Sequence, residues 1–272
     1  MARRPSPQSI LITGASSGIG EALALYYAAG GITLFLNGRN DDRLSAVADA
    51  CREKGASVLT WVGDVTDADG IKAWITECDT QVPLNLVIAN AGVAVGTRTV
   101  EDLHPAATRA FAANVGGVFN TVNPAVELMA SRPRPIKDGQ IAIMSSVMGY
   151  AGTARSPAYS SSKSAIKSYG QGLRGALRAM GIGVTVICPG YIRTSMVAMN
   201  ASLPFMIEVD RATKTIAKAI ARNKACITFP WQVALIARLI VNSPGWLIDR
   251  INKPYGVPRL EREDEGGVDI NS

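Results

Sequence analysis

Residues 9–27 constrain the fold of this chain more than any other stretch. Ser9 to Thr13 is a short apolar run rich in strand formers, and Gly14-Ala15-Ser16-Ser17-Gly18-Ile19-Gly20 follows it directly. Leu23, Leu25 and Tyr26 then continue with helical periodicity toward Gly30-Gly31. A strand, a glycine-rich turn and a helix in that order open a dinucleotide-binding unit. The glycines let backbone approach a pyrophosphate, and the helix start offers N–H groups and the positive end of its dipole. The spacing is G-x-x-x-G-x-G, not the commoner G-x-G-x-x-G, and in isolation such a turn is no more than a tight connection.

The rest of the chain repeats the alternation. Strand-like apolar runs recur at 32–36, 57–62, 84–89, 140–144, 183–188 and 226–229. Helical stretches fall between them at 42–54, 67–78, 105–130 and from Pro157 to about 180. Strands separated by helices of this length pair in parallel with right-handed crossovers. The runs at 84–89 and 184–188 are nearly all apolar, as strands covered on both faces must be. The predicted fold is α/β: a Rossmann-type doubly wound parallel sheet of about seven strands with helices on both faces, in a single domain. No repeat, low-complexity tract or linker divides the 272 residues.

Composition narrows the function. Hydrophobic residues make up 47% and charged residues 18%, and the net charge of +6 is dispersed along the chain. No Lys/Arg run with interleaved aromatics points to nucleic acid. Cys51, Cys78, Cys188 and Cys226 form no CxxC and have no histidine nearby, which argues against a metal site and suits a reducing compartment. Met1 to Gln8 carry no apolar signal stretch, and no apolar run approaches the ~20 residues of a membrane span. A cytoplasmic protein is expected.

Chemistry enters at Tyr159 and Lys163. Ser156 and Pro157 make a good N-cap and first helical position, so the two side chains, four residues apart, share one face of a helix. Tyrosine ionises near pH ~10, and bringing it to about 7 requires roughly 4 kcal/mol of preference for the anion. A cation at ~4 Å in an effective dielectric of ~20 supplies about that much. Taken alone, the spacing favours the plainer reading, a packed tyrosine and a solvated lysine, and only the motifs around the pair reverse that preference.

Thr13-Gly14-x-x-x-Gly18-x-Gly20, Asn90-Ala91-Gly92, Asn114, Ser146, Tyr159-x-x-x-Lys163 and Pro189-Gly190 stand in this order. Together they resemble the short-chain dehydrogenase/reductase family, in its compact single-domain branch, over roughly residues 10–229. The resemblance implies that Tyr159 is the general acid or base and that Lys163 holds the nicotinamide ribose and lowers the tyrosine pKa. It implies that Ser146 hydrogen-bonds the substrate oxygen and that Asn114, at a distortion in the long helix, holds a water linking Lys163 to solvent. Cofactor contacts are implied for Gly14, Ser16, Ser17, Gly18, Ile19, Gly20, Asn90, Ala91 and Gly92, and at the nicotinamide end for Pro189, Gly190, Ile192 and Thr194. Asp64 and Val65 would flank the adenine ring. Other readings stand beside these. Ser145 competes with Ser146, and only the spacing to Tyr159 favours the latter. Asn114 could serve only to satisfy backbone groups, Gly190 could be a turn glycine, and His104 reads as a surface residue at a helix start.

The end of the second strand bears on cofactor choice. NAD-preferring relatives of this fold place an acid there to bind the ribose 2′-hydroxyl; here the chain reads Asn37-Gly38-Arg39-Asn40. Arg39 can hold a 2′-phosphate with its planar fork, resembling NADP(H)-preferring members, with NAD(H) still usable. The alternative pairs Arg39 with Asp41 or Asp42. The resemblance also places a substrate lid at about 195–222, where Met196, Val197, Met199, Leu203, Pro204, Phe205 and Met206 suggest a lipophilic carbonyl or alcohol, or ordinary core. Domain boundaries follow: 1–229 for the dinucleotide-binding and catalytic domain, and 230–272 for its C-terminal helical extension and tail.

The apolar segment at 231–241, with Trp246 to Ile248, is expected to pack on its own chain or a second subunit, in preference to a peripheral membrane contact. Small residues on the helices at 105–130 and 157–180 suit the homodimer or homotetramer the resemblance implies. The leading function is an NADP(H)-dependent oxidoreductase acting on a small carbonyl/alcohol substrate. Its alternative is a non-catalytic NADP-binding regulator. A serine hydrolase built on Ser146 has no G-x-S-x-G elbow and a single histidine to draw on.

Overall fold

The computed structural model describes residues 6–133, 139–194 and 204–253. Among them, seven strands form one sheet in the order β3-β2-β1-β4-β5-β6-β9, every pair parallel. They are β1 (Ser9–Ile12), β2 (Thr33–Gly38), β3 (Ser57–Val62), β4 (Leu86–Ala89), β5 (Gln140–Met144), β6 (Gly183–Pro189) and β9 (Cys226–Phe229). The chain winds outward from β1 to β3 and then returns to lay β4 against the free side of β1. That reversal opens a crevice at the carboxyl ends of β1 and β4, where ligands bind in sheets of this kind.

The pleat sorts the strand residues onto two faces. Ile10, Ile12, Leu34, Leu36 and Ile88 pack beneath α1 (Gly18–Tyr27), α2 (Asp41–Glu53) and α7 (Val209–Ala221). Leu11, Phe35, Val87, Ile141 and Ile143 pack beneath α3 (Ala68–Gln81), α5 (Gly117–Ala130) and α6 (Pro157–Ala176). Both faces are therefore covered, which explains the continuous apolar runs of the inner strands.

Three features refine the reading of the sequence. The long helix expected at 105–130 is two helices, α4 (Leu103–Phe111) and α5, joined by a π-helical turn at Ala112–Gly116. A short parallel pair, β7 (Ile192–Arg193) with β8 (Ile207–Glu208), is too brief to leave a periodic signal. And α7, inside the span read as a lid, contributes Ala212, Ile216 and Ile220 to the core beside Leu23 of α1. Of the other residues read as lid, Met196, Val197, Met199 and Leu203 lie outside the described residues. At the C-terminal end, α8 (Trp231–Val241) and α9 (Gly245–Asn252) follow β9. None of the described helices is long and apolar enough to cross a membrane.

Candidate active site

The crevice at the switch point is a cleft of about 430 Å³. Its floor is the turn from β1 into α1. Gly14 has φ +67°, and an added Cβ would lie 2.8 Å from Ala91 Cα, so no other residue fits there without displacing backbone. Gly20 packs the first turn of α1 onto the Gly14 carbonyl and does not line the cleft. Ser17, the N-cap residue, makes no side-chain capping bond, so the first N–H groups of α1 are left to the cleft. Asn90 straps the turn to the end of β4: its Nδ2 donates to Thr13 O at 3.0 Å and Gly14 O at 3.2 Å. Thr13 Oγ1 in turn accepts from the N–H groups of Asn90 and Ala91.

At one end of the cleft stand the acid–base candidates. Tyr159 and Lys163 project from the first two turns of α6, and both line the cavity. Lys163 is buried, its Nζ donating to Met144 O at 3.0 Å and lying 5.8 Å from the centre of the Tyr159 ring. Burial pushes the lysine down to about 8. Burial also raises the Tyr159 phenol above its ordinary value; the Ser146 hydroxyl beside it pulls it partly back, and Tyr191 adds to the rise. The shift is opposite to the lowering by Lys163 that the resemblance implies. Desolvation is the largest cause of the rise, and Lys163 is not among the groups that shift the phenol.

The two serines separate by their partners. Ser145 Oγ donates to Lys163 O at 2.8 Å and ties β5 to α6, whereas Ser146 lies beside the phenol and accepts the Met148 N–H. Asn114 sits in the π-helical turn, fully buried and outside the cleft lining. It accepts from Val93 N at 2.8 Å and donates to Val93 O and Ser162 Oγ, both at 3.0 Å. It thereby holds residues 92–93 against α6. A Cβ at Gly92 would come within 2.7 Å of Asn114 Oδ1 and 3.3 Å of Lys163 Nζ. Pro189, Gly190, Ile192 and Thr194 complete this wall, and Thr194 reaches across to Gly18, where an added Cβ would sit 3.5 Å from its own.

The other end is basic. Arg39 does not pair with Asp41 or Asp42; its Nη1 lies 3.5 Å from Asp64 Oδ2, with both side chains exposed. Arg43, in the first turn of α2 beneath its cap Asn40, faces the same space. Gly38 is small for a reason of packing, since a Cβ there would sit 2.8 Å from Ser16 Cβ. The sequence reading missed Asn37, Asn40, Arg43, Val93 and Tyr191 as lining residues. Only Arg43 left a signal, as a second cation just inside a helix whose cap follows Arg39. His104 is exposed on α4, away from the cleft.

A glycine cradle at a helix start, a buried lysine with one partner among the described residues, and a guanidinium pair at the far end together fit a nicotinamide dinucleotide. The comparisons agree. The family model for short chain dehydrogenase matches residues 8–202. An "Uncharacterized oxidoreductase" of Myxococcus xanthus is 36% identical over 247 residues, covering 90% of this chain and 96% of the relative. The structure of a short-chain dehydrogenase from Sphingobium yanoikuyae in complex with NADPH superposes with TM-score 0.74 at 26% identity, over 87% of this chain and 96% of that one. One from Mycobacterium paratuberculosis bound to NAD gives 0.70 at 23%, over 82% and 95%, a likeness of fold. The chain is an oxidoreductase of the short-chain dehydrogenase/reductase family.

Proposed function

We propose that the protein is an NADP(H)-dependent carbonyl reductase for lipophilic substrates, with Tyr159 as the acid–base group. The observation that carries this reading is the convergence of Ser146, Tyr159 and Lys163 at one end of a cleft whose other end presents Arg39 and Arg43. When bound, the nicotinamide supplies the hydride equivalent that such a reaction needs.

The residues divide the remaining work. Tyr159, kept protonated at neutral pH by burial, donates its proton to the carbonyl oxygen as negative charge develops there. Ser146 donates a hydrogen bond to the same oxygen and fixes the carbonyl in line with the phenol. Lys163, pointing into the cleft with two of its three N–H bonds free of described protein partners, holds the ribose hydroxyls. Asn114 positions the 92–93 backbone and α6 and so keeps Lys163 in place. Val93, Val95, Val147, Met148 and Tyr191 line the substrate end and exclude water, which supports a lipophilic partner.

Cofactor preference rests on Arg39 and Arg43, because the solved relatives include both an NADPH and an NAD complex. A 2′-phosphate beside a guanidinium gains charge-assisted bonds worth about 1.5–3 kcal/mol. The test is a panel of aliphatic and aromatic carbonyls assayed with NADPH and with NADH by absorbance of the reduced nicotinamide. Turnover with NADPH on the lipophilic members supports the reading. Tight NADPH binding with no turnover on any member would favour a regulator, and equal use of NADH would remove the role given to the two arginines.

A further inference from the structure

A cluster of nucleophilic and titratable groups that the proposed reaction does not use lies just behind the acid–base end. Cys188 is the last residue before Pro189 in β6, and Cys226 opens β9. Cys188 stands opposite Thr228, and Cys226 opposite Val186. The cysteines are therefore diagonal neighbours on one face of the sheet. Their sulfurs are 4.0 Å apart. Tyr150, closing the turn that follows Ser146, places its Oη 4.0 Å from Cys226 Sγ and 2.7 Å from Thr228 Oγ1. Lys167 Nζ lies 3.9 Å from the centre of the Tyr150 ring and brings a positive charge to the group. Cys188 is buried, while Cys226 is partly open to solvent.

These neighbours make the sulfurs unequal. The Cys188 thiol, then Tyr150, Lys167 and Thr228, stabilise negative charge on Cys226 and hold its pKa below the ordinary thiol range against the effect of burial. The same contact holds the Cys188 thiol well above that range, with burial acting in the same sense and Ser145 and Lys167 opposing it. Cys51 and Cys78 are buried without such donors, and burial raises both, Cys78 to about 12. One thiol in the chain thus combines access, donors and an adjacent partner.

We propose that Cys226 and Cys188 form a peroxide-reactive dithiol, with Cys226 as the attacking thiolate and Cys188 as the resolving thiol. The Cys226 sulfur attacks one oxygen of a hydroperoxide. The O–O bond breaks, the leaving oxygen takes a proton, and the sulfur is oxidised to sulfenic acid. Cys188 then gives up its proton and attacks that sulfur; the S–S bond forms, the S–O bond breaks and water leaves. Two thiols and one hydrogen peroxide yield one disulfide and two waters.

The sulfurs must close from 4.0 Å to about 2 Å. The movement falls on β9, a four-residue strand that, among the described residues, ends the sheet and pairs with β6 alone. Phe229 O of β9 accepts the Gly190 N–H at 2.8 Å, and Pro189 follows Cys188 directly, so the shift reaches the wall of the cleft. Resting on the reading of that cleft as a cofactor site, the oxidised form should bind NADPH several-fold more weakly, and dithiothreitol should restore it.

The experiment treats the full chain with stoichiometric hydrogen peroxide, follows each cysteine by peptide mass spectrometry, and repeats this with Cys188→Ser in the presence of dimedone. The expected result is a Cys188–Cys226 disulfide in the wild type ahead of any change at Cys51 or Cys78, and a dimedone adduct on Cys226 in the variant. Oxidation of Cys51 or Cys78 as fast as Cys226, or a wild type that accumulates adduct on Cys226 without the cross-link, would overturn the proposal. Because these readouts are masses, they are independent of whether the protein turns over any carbonyl.

Discussion

Lys163 carries its ammonium buried, with Met144 O as its hydrogen-bond partner, and this has a consequence for stability. Its proton affinity falls from an ordinary value of 10.5 to about 8 on folding. Between those limits the unfolded chain binds more protons than the folded one, so stability rises with pH across that window. Relative to Lys163→Met, which has no such group, the wild type should gain about 2 kcal/mol between pH 7 and 9.5. Urea unfolding of both at the two pH values checks this, and a constant difference would show that the lysine is not desolvated. At the other end of the cleft, burial alone would raise the Asp64 carboxyl, but hydrogen bonds from Thr66 and the Arg39 charge hold it below the usual range. Its ion pair with Arg39 is exposed and weak, so a 2′-phosphate can displace it. Arg39→Ala should lower NADPH affinity by roughly 10- to 150-fold and leave NADH almost unchanged. Asp64→Asn should shift the ratio the other way, because it removes a competing anion. Fluorescence titrations with both cofactors measure the two effects. Tyr159 and Lys163 were legible because their relation is local, four residues on one helix. The Arg39–Asp64 pair joins the segments that follow β2 and β3, the sulfur pair joins β6 to β9, and no periodicity records such contacts.

Among the elements, the strand, tight turn and helix from β1 into α1 were legible because glycine-rich backbone suits so close a connection, whereas Gly20, read as a cofactor contact, packs on the Gly14 carbonyl outside the cleft lining. Gly38 was read as the missing acid of the second strand. Its closeness to Ser16, though, depends on how β2 lies against the turn, which the sequence does not state. An acid introduced at Gly38 would therefore press on Ser16 as well as offering a carboxylate, and it makes a poor test of cofactor choice. Gly14→Ala meets the stronger obstacle, a positive φ together with a 2.8 Å approach to Ala91 Cα. It should destabilise the fold by about 1–3 kcal/mol and weaken binding of either cofactor, measurable by denaturant midpoint and titration. The break between α4 and α5 was placed at Asn114 by resemblance alone. A π turn adds one residue and slips the apolar pattern by one position, too small an offset to locate from the sequence alone.

For the whole molecule, the apolar surface outside the cleft predicts association. Trp231, Leu235 and Leu239 lie at four-residue spacing on α8 and are 72%, 52% and 63% exposed, with Trp246 of α9 at 68%. On α6, Gly172 and Gly175 have open space where a side chain would be. Gly170 of α6 and Gly117 of α5, two of the small residues on the helices expected at the interface, instead pack inside the chain against Val186 and Val65. A twofold dimer or tetramer is expected, and sedimentation showing only monomer at micromolar concentration would contradict it.

The measurement that bears most directly on the reaction is a paired assay of the wild type and Tyr159→Phe. NADPH affinity is taken by fluorescence, and kcat is measured on a carbonyl that the wild type reduces. The variant should bind NADPH within about three-fold of the wild type while kcat falls by about 10²-fold or more, since a positioned acid has been removed from a cleft otherwise intact. Turnover close to wild type would remove Tyr159 from the mechanism, and with it the reading of this cleft as a carbonyl-reducing site.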